Sequence, residues 1–479
     1  MQNLTQTLFA CLILFVMGGC AQNPVSGRQD FVTMSEPQEI RFGRSADADV
    51  RKQYKVYESK ALQDYVDSVG QRLALHSHRP NIQYHFTVLD SPEVNAFALP
   101  GGYVYITRGI LAYLNSEAEL AAVLSHEIGH VTARHGVRQA SAAQAADIGL
   151  SLASILFSEI NNSVGQNLGN ILGGALLAGY GRDHELESDR LGAEYLARSE
   201  YDPNAMIEVI DVLKHQELFD AEIARQEGRE PRRYHGLFAT HPDNDTRLQQ
   251  VVGESSRLTV ANPKEGYAKF LHMINGMTFG ESGDQGVVRD NKFMHADLGM
   301  ALKFPKDWRV QNLPDKLIAV SPQAEAAIQL NMGEKPSGTP VGYARRHLAG
   351  SGLDSQIEAL DINGLSAAIA TLPQAVAGVI YLDQKVYIIQ GKAKSRAAFA
   401  AYRNDMLDAI RSFHELSEKE RREIKPLVIR LVTVRADDTY AKLAQHSPLG
   451  KAAENYLRLI NGSYPQGEPM PGQQVKIVE

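Results

Sequence analysis

The run His126-Glu127-Ile128-Gly129-His130 places two imidazoles and a carboxylate at a spacing suited to metal-assisted hydrolysis. Each helical residue turns by about 100°, so histidines four apart leave one face of a helix and can share one Zn²⁺ through ring nitrogens. Glu127, next to the first ligand, can then take the proton of a water whose pKa zinc lowers towards roughly 7, the arrangement of H-E-x-x-H peptidases. The preceding residues 116–125 read S-E-A-E-L-A-A-V-L-S. Ser116 is an N-cap candidate, Glu117 and Glu119 put acids in the first turn, and strong helix formers lead into His126.

Catalytic zinc holds three protein side chains and one open position, so a third ligand is required. His135 lies nine positions beyond His126. That is about 900° of rotation, which puts it on the opposite face of a continuing helix. Ala133 and Gly136 stand where the longer H-E-x-x-H-x-x-G-x-x-H pattern needs glycine and histidine, and His135 reads as a surface or helix-end residue. Residues 181–196, G-R-D-H-E-L-E-S-D-R-L-G-A-E-Y-L, read as a second helix. On it Glu185 and Asp189 share a face, so one carboxylate can complete the metal set while the other accepts a ring N–H from a ligating histidine. His184 and Glu187 are local rivals for the ligand role, and an acidic pair at this spacing also fits a solvated helix face.

The elements that must position this chemistry begin upstream. Residues 95–102 read N-A-F-A-L-P-G-G, ending in a glycine turn, and Y-V-Y-I-T at 103–107 is β-branched and aromatic, hence a strand. In this order, residues 95–111, the H-E-x-x-H helix and R-D-H-E-L-E-S-D at 182–189 resemble the HtpX-like and CAAX-prenyl-protease (gluzincin) zinc metallopeptidase family, over roughly residues 23–252. Within that family the chain resembles the BepA-like periplasmic lipoprotein branch. The resemblance implies one Zn²⁺ per chain held by His126, His130 and Glu185, with Glu127 as general base and Asp189 supporting a ligand. It also implies a strand beside the zinc helix, with Asn95, Ala96, Gly101, Gly102, Tyr103 and Val104 holding substrate as an added strand. Residues 240–247, T-H-P-D-N-D-T-R, resemble the family's T-H-P segment, in which His241 approaches the metal and Arg247 lies near the site. His241 would stabilise an oxyanion or occupy zinc's open position in a latent enzyme, and both readings stand. His235 or Tyr234 would serve equally as the donor.

The compartment is read from the other end of the chain. Residues 8–17 form an apolar core and Gly18-Gly19 precedes Cys20, as in a secretory signal with a lipobox. The first seven residues carry no Lys or Arg, and Met17 stands where leucine is usual. Ala21 after the cysteine favours the outer membrane, giving a periplasmic protein anchored through lipid on Cys20. Cys11 leaves with the signal, so the mature chain has no thiol to offer a metal and its ligands must be His and carboxylate. A net charge of −7 argues against a nucleic-acid partner. Expected substrates are unfolded or misassembled envelope proteins. The apolar runs 148–157 and 171–178 fall short of the roughly 20 residues that cross a bilayer. They read as buried helices over the site, or as an amphipathic lid or a surface touching membrane or unfolded clients.

The fold class expected is α+β multidomain: a mainly helical gluzincin domain with a small edge sheet, an α+β module, and a small βααβ module. The boundaries are a signal at 1–19, the metallopeptidase domain at 20–258, a linker helix and loop at 259–286, a module at 287–414 faintly similar to PsbP or Mog proteins, a charged linker at 415–427, and a tail at 428–479. The tail resembles a LysM domain, which implies peptidoglycan as a partner. Ala436-Asp437-Asp438-Thr439 departs from the usual glycine-aspartate-threonine entry, so a structural cap is the competing reading. No 34-residue repeat follows the peptidase, unlike proteins of the BepA-like branch.

Overall fold

The computed structural model describes residues 20–142, 180–226, 247, 257–281, 286–289, 291–313, 316–348 and 357–479. The signal segment, both apolar runs, and Tyr234, His235 and His241 lie outside them. The chain divides into two compact units, one of Met1–Phe279 with Val428–Glu479 and one of Gly280–Leu427.

The first unit opens with a hairpin of β1 (Cys20–Gln22) and β2 (Gln29–Phe31), then helices α1 (Glu36–Gln53) and α2 (Lys60–Leu75). Three strands follow: β3 (His85–Leu89), β4 (Ala96–Leu99) and β5 (Tyr103–Thr107), in the spatial order β3-β5-β4. β5 runs parallel to β3 and antiparallel to β4, and all five of its residues are buried. A short turn of helix, α3 (Arg108–Leu111), leads to the motif helix α4 (Glu117–Thr132). Ser116 caps α4 as its residue type predicts, its Oγ accepting the Glu119 N–H at 3.0 Å. Every residue of α4 is buried. Its alanines and large apolar residues leave no wholly polar face, and α2, α5 (Arg182–Arg198), α6 (Ala205–Gln226) and β4 all pack against it.

α7 (Tyr267–Ile274) and β6 (Thr278–Phe279) occupy the stretch expected as a connecting helix. The tail, expected as a separate module, clusters with the first unit. Its main elements are β18 (Leu427–Thr433), α11 (Tyr440–Leu443), α12 (Ala453–Ile460) and β19 (Gln474–Val478). β18 lies between β19 and β6 in one sheet. Tyr456 and Tyr464 pack edge-on against Phe219 of α6, with ring centroids 4.6 and 5.6 Å away. Lys476 is fully buried and its ammonium donates to the carbonyls of Ala112 and Leu114, at 2.9 and 2.7 Å, just ahead of α4. Burial pulls the Lys476 pKa well below the ordinary lysine range, although the Glu119 charge opposes that fall.

The second unit is built on antiparallel strands. β7 (Val287–Arg289), β8 (Lys292–His295) and β9 (Met300–Lys303) join β17 (His414–Glu415) in a four-stranded sheet. β10 (Arg309–Leu313), β11 (Lys316–Val320), β12 (Ala326–Glu334), β13 (Ile357–Ile362), β14 (Leu365–Leu372), β15 (Ala375–Leu382) and β16 (Lys385–Ala393) form a seven-stranded sheet ordered β10-β11-β12-β16-β15-β14-β13. Alternation along β15 sorts its two faces: Val376 and Ile380 join the core beneath α9 (Arg396–Arg411), while Val379 and Tyr381 pack with Ala344 of α8 (Pro340–Leu348). The charged stretch after α9 contains the short helix α10 (Glu418–Glu423).

Replacing Lys476 with alanine removes the donor from two buried carbonyls, a loss of about 1–3 kcal/mol. Lys476→Ala is therefore expected to lower the urea midpoint of the full-length protein markedly. An unchanged midpoint would mean that the tyrosine contacts alone hold the tail.

Candidate metal centre

α4 and α5 meet with unusual closeness at the site. A Cβ on Gly129 would stand 2.5 Å from Ser188 Oγ and 3.0 Å from the Ser188 carbonyl oxygen. A Cβ on Gly192 would stand 3.2 Å from the backbone nitrogen of His126. These two glycines let the backbones approach, and Ser188 then donates from Oγ to the His126 carbonyl at 2.5 Å. The second helix is thereby registered so that Glu185 and Asp189, one turn apart, face the two histidines.

His126, His130 and Glu185 are all buried and offer ligand atoms within 4.8 Å of one another. The Nε2 atoms of the two histidines are 3.0 Å apart, and the Glu185 carboxylate lies 3.5 Å from His126 and 3.4 Å from His130. Behind His126, Nδ1 is 2.7 Å from Asp189 Oδ1. An ionised carboxylate only accepts, so Nδ1 carries the hydrogen and Nε2 of the neutral ring presents a lone pair to the shared point. Arg247 holds Asp189 in turn, with Nε to Oδ2 and Nη2 to Oδ1 both at 2.7 Å, and it reaches Glu185 at 3.2 Å. Its guanidinium thus spans the Glu185 and Asp189 carboxylates.

The electrostatics suit a dication. Glu127, Glu185 and Asp189 are each fully buried and Arg247 is 3 % exposed. With all three carboxylates ionised and the imidazoles neutral, two negative charges are left over, and a divalent cation cancels them. Burial disfavours a charged His126, but Asp189 and Glu185 outweigh burial and raise its pKa to about 9 in the metal-free protein. For Asp189, burial raises the pKa and Arg247 together with His126 more than reverses this, so it stays ionised.

The structure corrects two sequence expectations and separates the rival ligands. His135 is fully buried, not a surface residue. The helix ends at Thr132, Arg134 takes a left-handed φ of 54°, and residues 135–142 start a new helical run. The 900° of rotation assumed for a continuing helix therefore does not apply, and His135 Nδ1 comes to 2.8 Å from His130 Nδ1. His184 stacks on His135 at 4.3 Å, and Glu187 bonds His135 at 3.0 Å, so both rivals lie behind the ligands. The second correction concerns Tyr103 and Val104. Both are in the central strand, paired with His85 and Phe86 on one side and Leu99 and Ala98 on the other, and cannot accept another strand. Gly101 and Gly102 form the turn with φ of 82° and 97°. The edge is β4, so an added strand would run beside Asn95, Ala96 and the residues up to Leu99. A small, shallow cleft between β4 and α4 is lined by Ala98, Leu99, His130, Val131 and Tyr180 among others.

Sequence reasoning passed over Gly129, Gly192, Ser188 and Tyr180. Tyr180 stacks on His130 with ring centroids 4.0 Å apart. Glycines and a serine on the facing sides of two helices were the available signal for close packing, but which residues face each other appears only in three dimensions.

The helix pair, the convergent His-His-carboxylate set and the adjoining acid at Glu127 define a metallopeptidase-type centre. Residues 60–255 match the family model described as Peptidase family M48, and this segment is a peptidase M48 domain. The chain is 29% identical over 269 residues to the beta-barrel assembly-enhancing protease of Escherichia coli (strain K12), covering 54% of this chain and 53% of that protein. It is 30% identical over 242 residues to the Yersinia pestis protein of the same name, covering 49% and 47%. To the mitochondrial metalloendopeptidase OMA1 of Schizosaccharomyces pombe it is 32% identical over 189 residues, covering 38% and 54%. The chain thus spans about half the length of these relatives. The solution structure of cyanobacterial PsbP from Synechocystis sp. PCC 6803 aligns with 27% of this chain and 95% of its own at a TM-score of 0.22 and 13% identity, a score from which no fold is argued.

Two outcomes are expected. Gly129→Ala should force α5 away from α4, costing about 1–3 kcal/mol and weakening zinc binding; unaltered zinc affinity and stability would contradict the tight registration. Zinc must also displace the proton that His126 holds up to about pH 9. Chelator competition should therefore show zinc affinity falling by about tenfold for each pH unit below 9, where a flat profile would contradict the assigned charge state.

Proposed function

We propose that this protein is a zinc-dependent endopeptidase of the bacterial cell envelope that hydrolyses misfolded or stalled envelope proteins. The observation that carries the reading is Glu127, a fully buried carboxylate one residue from His126 in a cluster whose remaining donors suit a dication. A metal-binding protein without catalysis has no use for an acid at that position.

His126, His130 and Glu185 would hold the zinc. When bound, zinc supplies the acidity that makes a water nucleophilic near neutral pH and polarises the peptide carbonyl. Glu127 takes the proton of the attacking water and returns it to the leaving amine. Asp189 and Arg247 fix the ring of His126 and the Glu185 carboxylate, so the site need not reorganise during the reaction. The substrate backbone adds to the β4 edge from Asn95 to Leu99, where main-chain hydrogen bonds accept many sequences. His241 remains assigned either to the oxyanion or to a latch on the metal's open position.

The names of the Escherichia coli and Yersinia pestis relatives, both beta-barrel assembly-enhancing proteases, support envelope proteins as substrates. The lipobox-like sequence ending at Cys20 supports a periplasmic protein anchored to the outer membrane through lipid. Among the described residues no helix is long and apolar enough to cross a membrane. For the tail we favour a structural cap on the peptidase unit over glycan binding, because Lys476 commits it to the segment leading into α4 and the tyrosines commit it to α6. Glu127→Gln should keep stoichiometric zinc and lose casein cleavage by several orders of magnitude, while Glu185→Ala should lose both zinc and cleavage. Cleavage retained by Glu127→Gln would defeat the mechanism.

A further inference from the structure

Both candidate histidine ligands are backed by a carboxylate that an arginine holds, but the two arrangements differ in length. Asp189 bonds His126 directly, whereas on the other side a second imidazole stands between ligand and acid. His135 Nδ1 is 2.8 Å from His130 Nδ1, and its Nε2 is 3.0 Å from Glu187 Oε2. Arg138 Nη1 reaches the same Glu187 oxygen at 3.0 Å, and Arg138 Nε lies 3.4 Å from Asp30 Oδ2 in β2. His135 is fully buried and its ring stacks on His184, so its orientation is set.

The hydrogens in this chain follow from the acid at its end. A carboxylate accepts only, so Glu187 places the hydrogen of neutral His135 on Nε2. Nδ1 of His135 then has a lone pair and accepts from Nδ1 of His130. His130 is left with its lone pair on Nε2, the atom that faces His126 and Glu185. A residue that formed no part of the expected site thus selects the tautomer of a metal ligand.

We propose that His135, oriented by Glu187, is a positioning residue for zinc: it fixes the tautomer and ring angle of His130 and so sets how tightly the metal is held. This rests on the zinc reading above. The role asks for an acceptor facing His130 and a donor facing Glu187, and glutamine supplies both where alanine supplies neither.

The test is zinc titration of the full-length metal-free protein against a chelator, together with the thermal midpoint of each metal-free variant. His135→Ala and Glu187→Ala should weaken zinc binding by about 10–100-fold, and His135→Gln should recover most of that loss. Val137→Ala, a cavity at a buried neighbour that makes none of these bonds, should lower the midpoint yet keep wild-type zinc affinity. The proposal is overturned if Glu187→Ala binds zinc as the wild type does. It is equally overturned if His135→Gln is no better than His135→Ala, or if Val137→Ala weakens zinc as much as His135→Ala for the same loss of midpoint. Should His135→Ala fail to fold, Glu187→Ala decides, since that side chain is 22% exposed and its loss leaves little cavity. A wild-type chain that binds no zinc fails at the earlier step and sinks the metal site itself.

Discussion

Three electron-pair donors turned towards one point inside a protein repel each other and have lost their water, so the fold can hold them together only if their surroundings and a cation compensate. The rest of the first unit is organised around that constraint. His126, His130 and Glu185 come from two helices that approach within the reach of a single serine hydroxyl, and Gly129 and Gly192 are where that approach is possible. Side chains that orient the donors stand immediately behind them. Asp189 and Arg247 serve one histidine, His135 and Glu187 the other, and Tyr180 covers His130 with its ring.

The buried chemistry reaches the surface through the small sheet. Its central strand is paired on both sides, which keeps the sheet rigid beside α4 and leaves pairing capacity at β4 alone on that side. At the other edge, β3 is covered: Tyr57 donates its backbone N–H to Val88, and Gln63 donates to the same carbonyl from its side chain. Among the described residues the edge of this sheet that no strand or bridge covers is thus β4, next to the helix that carries His130.

How far the site could be read from residues alone depended on the range of the interaction. His126, Glu127 and His130 lie within five positions on one helix, and periodicity placed them. Glu185 shares the metal cluster with residues more than fifty positions away, and no local pattern separates it from Glu187; only similarity to a family singled it out. His135 was misread because the argument extended a helix that stops at Thr132, and nothing in A-R-H-G announces the left-handed Arg134. The strand at residues 103–107 was legible in composition, but its place in the centre of the sheet was not, since pairing order is a property of the whole sheet. In the second unit, strands and the long helix followed from alternation and periodicity. Lys476 escaped detection for a different reason: lysines are nearly always solvated, and its burial depends on two carbonyls far away in sequence.

That lysine has a consequence for the order of assembly. The carbonyls it satisfies, just ahead of the motif helix, belong to residues 364 and 362 positions earlier, and the whole of the second unit lies between them in sequence. Loop-closure entropy rises only logarithmically with length, so such an insertion is tolerated thermodynamically. Kinetically it makes the hydrolytic unit discontinuous, and contacts of long sequence separation form slowly. The lead-in to the motif helix keeps two carbonyls without this partner until residue 476 has been synthesised, so the nascent chain completes this part of the peptidase fold only after the whole second unit has been made.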